Sequence, residues 1–164
     1  MLSLLGVWGA HGIDSILREA WERGVILCGV SAGSLCWFAE GVTAFHGTAR
    51  PYTGLGILPW SNTVHYHAER GRGDEFCRML LDGMVPGFAA EDGTALHFQG
   101  EKLHRVVTSR ADARAFRMRC TNGRVARKPL RSTYLGGGDQ PPRLTRPSIV
   151  LAPEPATSAA AAAG

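Results

Sequence analysis

At 164 residues, 45% of them hydrophobic, the chain is long enough for one domain with a genuine core. Its net charge of +4 comes with 18 Lys and Arg that lie mainly beyond residue 100 and form no basic block interleaved with aromatics, so the charge reads as solvation and nucleic-acid binding is not expected. No apolar run has the length of a membrane span, and "MLSLLGVWGA" lacks the basic residues that open a secretory signal; a cytoplasmic protein without membrane partners is the expectation.

In chain order, Asp14 is a good N-cap for a helix over 14–23, where Ile16, Leu17, Ala20 and Trp21 recur at helical spacing and Gly24 supplies the stop. "VILCGV", 25–30, is short, β-branched and apolar on both faces, the pattern of a strand buried in a parallel sheet. "SLCWFAEG" predicts a helix of about two turns ending at Gly41. "GLGILPW" is apolar and ends in a turn, which leaves His65 at the end of an extended stretch. "DEFCRMLLDG" predicts a second helix from Asp74, "TALHFQGEKLHRVV" a strand pair around Gly100, and "AFRMRCTNGRVARKPL" a hairpin turning on Asn122 and Gly123. From Gly136 the sequence becomes glycine-, proline- and then alanine-rich, so 136–164 is expected to be a disordered tail behind a domain over 1–135. The four cysteines form no CxxC and read as reduced, mostly buried thiols.

Ser31 stands where the expected strand turns sharply into a helix. A side chain there is pushed out of the sheet top, and Gly29, Ala32 and Gly33 provide the small neighbours such a turn requires. The turn also aims the Ala32 amide at the space beside Ser31, where an oxyanion would develop. G-x-S-x-G arises by chance in roughly one chain in seven of this composition, so the string alone fits a simple tight turn as well, and its position is what favours a nucleophile. A serine needs a base. His11 and His46 fall in loops and His97 and His104 in alternating strands, which leaves "NTVHYHAER" with His65. His65 and His67 would point the same way in extended chain, and with Glu69 they form a competing metal reading, although no further ligand cluster accompanies them. Glu91 and Asp92, next to Gly93, offer the carboxylate that would orient an imidazole, or a merely solvated turn.

"GVSAGSLCWF", "HYHAER" and "EDGTALHF", in this order and spacing, resemble the S51 family of serine peptidases, the group containing dipeptidase E and cyanophycinase. The resemblance runs from Met1 to about Leu135. It implies an α/β, flavodoxin-like sandwich related to the class I glutamine amidotransferases, with a mostly parallel sheet and no metal or cofactor. It further implies Ser31 as nucleophile, His65 as base and Asp92 as acid, with Glu91 the neighbour that could substitute. Three features depart from the family. Ala44 and Phe45 replace an Asp-Ser pair, His67 stands where relatives carry Asp, and the strands and glycine-rich loop that precede the elbow strand have no counterpart before "VILCGV". Met1 therefore reads as a truncated start with N-terminal strands missing.

The function expected on these grounds is hydrolysis of small peptides through an acyl-enzyme on Ser31. By the resemblance, an N-terminal aspartate would be preferred, received by Arg72; the bland alternative for Arg72 is a solvated arginine at a helix start. The competing class is a catalytically silent fragment or a binding member of the same fold.

Overall fold

The computed structural model describes residues 1–45, 48–136 and 148–150. Two helices open the chain, α1 (Leu2–Ala10) and α2 (Ile13–Glu22), joined through Gly12, whose φ of 68° lets the chain reverse. Neither helix buries a residue. α1 meets the body through Trp8, stacked on Trp37 at 5.9 Å, and α2 through Arg18, which donates to the Leu55 carbonyl at 2.6 Å. α2 lies one residue ahead of its predicted span, with Asp14 in its first turn rather than at the cap.

The expected strand at 25–30 does not form. Val25, Ile26 and Val30 are 53%, 90% and 88% exposed, and Cys28 is exposed with them. A strand exists only as part of a ladder, and this segment pairs with no strand of either sheet; β1 (Phe38–Phe45), the first strand after it, is bonded on both edges, antiparallel to β2 (Thr48–Thr53) and parallel to β3 (Leu58–Thr63). The predicted two-turn helix is also shorter. α3 covers only Ala32–Leu35, and "FAEGVTAF" is strand β1. Gly41 is no helix stop but a point of close approach, where a Cβ would lie 2.1 Å from the Asn62 carbonyl oxygen and 2.6 Å from the Tyr52 hydroxyl.

After β3, helix α4 (Arg72–Leu81) crosses over to β4 (Gly87–Ala90), which lies parallel to β3. This βαβ unit is followed by antiparallel pairing. β7 (Ala115–Thr121) and β8 (Arg124–Pro129) are joined by the two-residue turn Asn122-Gly123, both at positive φ, and a turn of two residues can only return the chain antiparallel. The seven-stranded sheet, in the order β10-β8-β7-β4-β3-β1-β2, is therefore mixed rather than mostly parallel. Its edge strand β10 (Ser148–Val150) pairs antiparallel with β8; the rest of the expected tail beyond Gly136 lies outside the described residues. β5 (Thr94–Gln99) and β6 (Lys102–Thr108) form the predicted pair and, with β9 (Ser132–Tyr134), make a second sheet.

Two apolar clusters hold these layers together. Phe76, Cys77, Met79 and Leu80 of α4 pack on Val42, Ala89, Phe116, Met118 and Val125 of the large sheet. A second cluster joins Phe38, Leu58 and Phe88 to Leu96, Phe98 and Leu103 of the small sheet. The neighbours Phe88 and Ala89 belong to different clusters, as the alternation of a strand requires. Among the described residues no helix is long and apolar enough to cross a membrane.

Candidate active site

The pairing of β3 with β4 sets up the site. Thr63 lies opposite Ala89, so the chain leaves both strands at the same sheet edge, the carboxyl end where open α/β sheets carry their ligand-binding loops. His65 follows β3 by two residues and Asp92 follows β4 by two. His65 Nδ1 lies 2.6 Å from Asp92 Oδ1, and His65 Nε2 lies 2.9 Å from Ser31 Oγ. If Nδ1 donates its proton to the carboxylate, Nε2 is left as the acceptor for the serine hydroxyl. His65 and Asp92 are each about one-third exposed, at 34% and 37%, so the line is reachable from solvent.

Two members of this line, Ser31 and His65, hold an unusual backbone. Ser31 has φ 51° and ψ −118°, and His65 has φ 57°, a region that L residues other than Asn, Asp and His seldom enter. Such positions cost on the order of 1–3 kcal/mol each and persist where the surroundings impose them. At Ser31 the imposing contact is visible. Gly29 passes so near α3 that a Cβ would sit 2.0 Å from the Gly33 carbonyl oxygen, whereas a Cβ at Gly33 itself meets nothing within 4 Å. The elbow therefore survives although the strand before it does not.

The elbow is fastened from below and from behind. The Ser31 carbonyl accepts from the amides of Ser34 and Leu35 and from the Ser34 hydroxyl. The buried Tyr52 hydroxyl donates to the Leu35 carbonyl at 2.8 Å, and Cys36, fully buried, reaches the Gly33 carbonyl with its thiol. Burial pushes the Cys36 thiol up to about 11 and raises the Tyr52 phenol well above its ordinary value, so neither supplies a charge to the site. The amides of Gly33, Ser34 and Leu35 are all spent on backbone acceptors, while the Ala32 amide has no such acceptor among the described residues.

Sequence reasoning leaves Glu91 and Asp92 as alternatives; the two side chains diverge. Asp92 turns to His65, whereas Glu91 accepts the Arg114 amide at 2.8 Å with Oε2 and pairs with His67 Nδ1 through Oε1. The metal reading loses its geometry in the same way. His65 faces Asp92, His67 faces Glu91, and Glu69 pairs with Arg72, so the three expected ligands turn to three different partners. The positive φ at His65 breaks the alternation that would have aligned it with His67. Arg72, the expected carboxylate receptor, is neither solvated nor open: its side chain is 4% exposed and paired with Glu69, and its Nη1 has no hydrogen-bond partner among the described residues. A cleft of about 500 Å³ instead lies on the Asp92 side, lined by His67, Glu91, Asp92, Arg110, Asp112 and Arg114 among others. Neither Arg110 nor Arg114 draws attention in sequence, since they fall in an unpatterned loop after β6.

Comparison with known proteins identifies the family. The model of peptidase family S51 matches residues 1–106. The uncharacterized peptidase YgaJ of Bacillus subtilis (strain 168) is 41% identical over 135 residues, which covers 82% of this chain and 59% of that protein, so the chain spans about three-fifths of its relative's length. No solved structure matches significantly. The family match takes in the elbow, the histidine after β3 and the acid after β4, and the relative extends beyond all three: the chain belongs to peptidase family S51.

Proposed function

We propose that the chain is a serine-type hydrolase of small peptides. The observation that carries this is the unbroken line from Ser31 Oγ through the His65 ring to Asp92, at 2.9 and 2.6 Å. In this reading His65 takes the Ser31 proton as the hydroxyl attacks the scissile carbonyl, and the tetrahedral oxyanion is met by the Ala32 amide. The same imidazolium then gives its proton to the departing amine, leaving an acyl group on Ser31. Water repeats the sequence to release the acid and restore the hydroxyl. Asp92 holds the ring orientation and stabilises its positive charge without itself taking the proton.

Preference for an N-terminal aspartate is the finer part of the proposal and rests on the family resemblance. Arg72 serves that carboxylate only if Glu69 gives it up, whereas Arg110 and Arg114 stand on the open cleft. Hydrolysis of Asp-Leu, Ala-Leu and Asn-Leu by wild type, Ser31→Ala and Arg72→Lys tests both levels. Loss of all hydrolysis in Ser31→Ala supports the mechanism; a selective loss on Asp-Leu in Arg72→Lys supports the receptor, because lysine cannot copy a bidentate arginine contact. Equal losses on all three peptides remove Arg72 from substrate recognition.

A catalytically silent chain is the second reading, favoured by one observation. Ile26 and Val30, just ahead of the elbow, are exposed, and their segment pairs with no strand, so no ladder holds the chain that enters the elbow. Absence of any Ser31-dependent hydrolysis would favour it.

A further inference from the structure

We infer that Glu91 is a positioning residue, a clamp that fixes the loop bearing His65 against the loop bearing Asp92; the inference rests on the hydrolase reading above for its effect on rate. Both loops lie beyond the ends of their strands, so the sheet ladder no longer sets their spacing. Bringing Ser31, His65 and Asp92 into line needs tolerances of a few tenths of an ångström, and a misplacement of about 1 Å costs on the order of a hundredfold.

Glu91 is placed to meet that need with both carboxylate oxygens. Oε1 pairs with Nδ1 of His67, two residues beyond His65, and Oε2 accepts the Arg114 amide just ahead of β7. The Glu91 amide in turn donates to the Arg114 carbonyl at 3.0 Å, and its carbonyl accepts from Thr94 at 3.1 Å, closing the turn that presents Asp92. The His65 loop carries matching restraints. The Tyr66 amide donates to the Ala90 carbonyl, Tyr66 is 4% exposed in the core, and the Glu69 amide donates to the His65 carbonyl. The His67 ring lies against Phe116, which fixes it from the far side at 5.8 Å. Two parallel histidine–carboxylate pairs thus span the same gap, His65 to Asp92 and His67 to Glu91. The second never touches the serine. At 16% exposure the Glu91 side chain is the more sheltered of the two carboxylates, as a structural tie should be.

The test combines a magnetic resonance signal with covalent labelling. In wild type, the downfield proton of His65 Nδ1 bonded to Asp92 is assigned by its loss in Asp92→Asn. Glu91→Ala is expected to broaden or remove that signal and to slow fluorophosphonate labelling about tenfold to a hundredfold. Glu91→Gln is expected to keep the signal and to label within about threefold of wild type, because its amide still accepts from Arg114 and can donate to a neutral His67. Should Glu91→Ala not fold, His67→Ala, with a ring 55% exposed, removes the same bridge. A signal and labelling rate unchanged in Glu91→Ala, or a fall in Glu91→Gln as deep as in Glu91→Ala, overturns the clamp. Failure of wild type to label would count against the hydrolase alone, and the resonance would then decide the clamp.

Discussion

Replacing Gly29 by alanine should dismantle the elbow, while replacing Gly33 should not. The added methyl at position 29 would lie 2.0 Å from the Gly33 carbonyl oxygen, 2.3 Å from its carbon and 2.8 Å from the Ser34 nitrogen, all backbone atoms. Non-bonded carbons do not come within about 3 Å of such atoms, so one side must retreat by roughly 1 Å. Ser31 sits between the two and moves with either. A shift of that size breaks a 2.9 Å contact with His65 and is expected to cost on the order of a hundredfold in labelling rate, together with about 1–3 kcal/mol of stability. At Gly33 the methyl meets open space within a short helical turn, where alanine is favoured by roughly 0.5–1 kcal/mol. The assay is the fluorophosphonate labelling rate measured beside urea unfolding for both variants. Wild-type labelling in Gly29→Ala, or equal damage in the two variants, would refute the steric account of the elbow.

Stability should fall in alkali. Burial raises Cys36 from 9.0 to about 11, so the unfolded thiol ionises first; the contribution is intact below pH 9 and is lost as pH climbs through 11, with Tyr52 adding to the loss above its ordinary value. A fall on the order of 2 kcal/mol across that window in urea titrations, flattened in Cys36→Ala, is the expected result. Native thiol titration should find Cys28 fast, with Cys36 and Cys77 reacting only on unfolding; a quickly modified Cys36 would show that the elbow's floor is open. Gly123→Ala, at φ 68° in the β7–β8 turn, should destabilise by about 1 kcal/mol without changing labelling, and a neutral effect on unfolding would argue against the turn geometry.

Much of the site was legible because its chemistry follows chain order: a small-residue turn, then a histidine after an apolar run, then an acid before a strand. The hairpin at Asn122-Gly123 and helices α2 and α4 were legible from local punctuation alone. What local pattern misses is who the neighbours are. "VILCGV" has the composition of a buried strand, yet composition carries no information about whether a partner strand lies beside it. Gly41 reads as a helix stop until Asn62 and Tyr52 are seen pressing on it. The choice between Glu91 and Asp92 is a matter of side-chain direction, which adjacent letters do not encode. His67 was misread for a related reason, since its alignment with His65 assumed extended backbone where His65 in fact has φ 57°.

The central claim is that Ser31 is a nucleophile activated through His65. Treating the native chain with a fluorophosphonate, digesting it and locating the adduct by mass spectrometry tests this directly. The account predicts a single phosphonylated residue, Ser31, with labelling abolished in His65→Ala and by prior unfolding. An adduct on Ser34 or another hydroxyl, or labelling of Ser31 that is indifferent to His65, would contradict it.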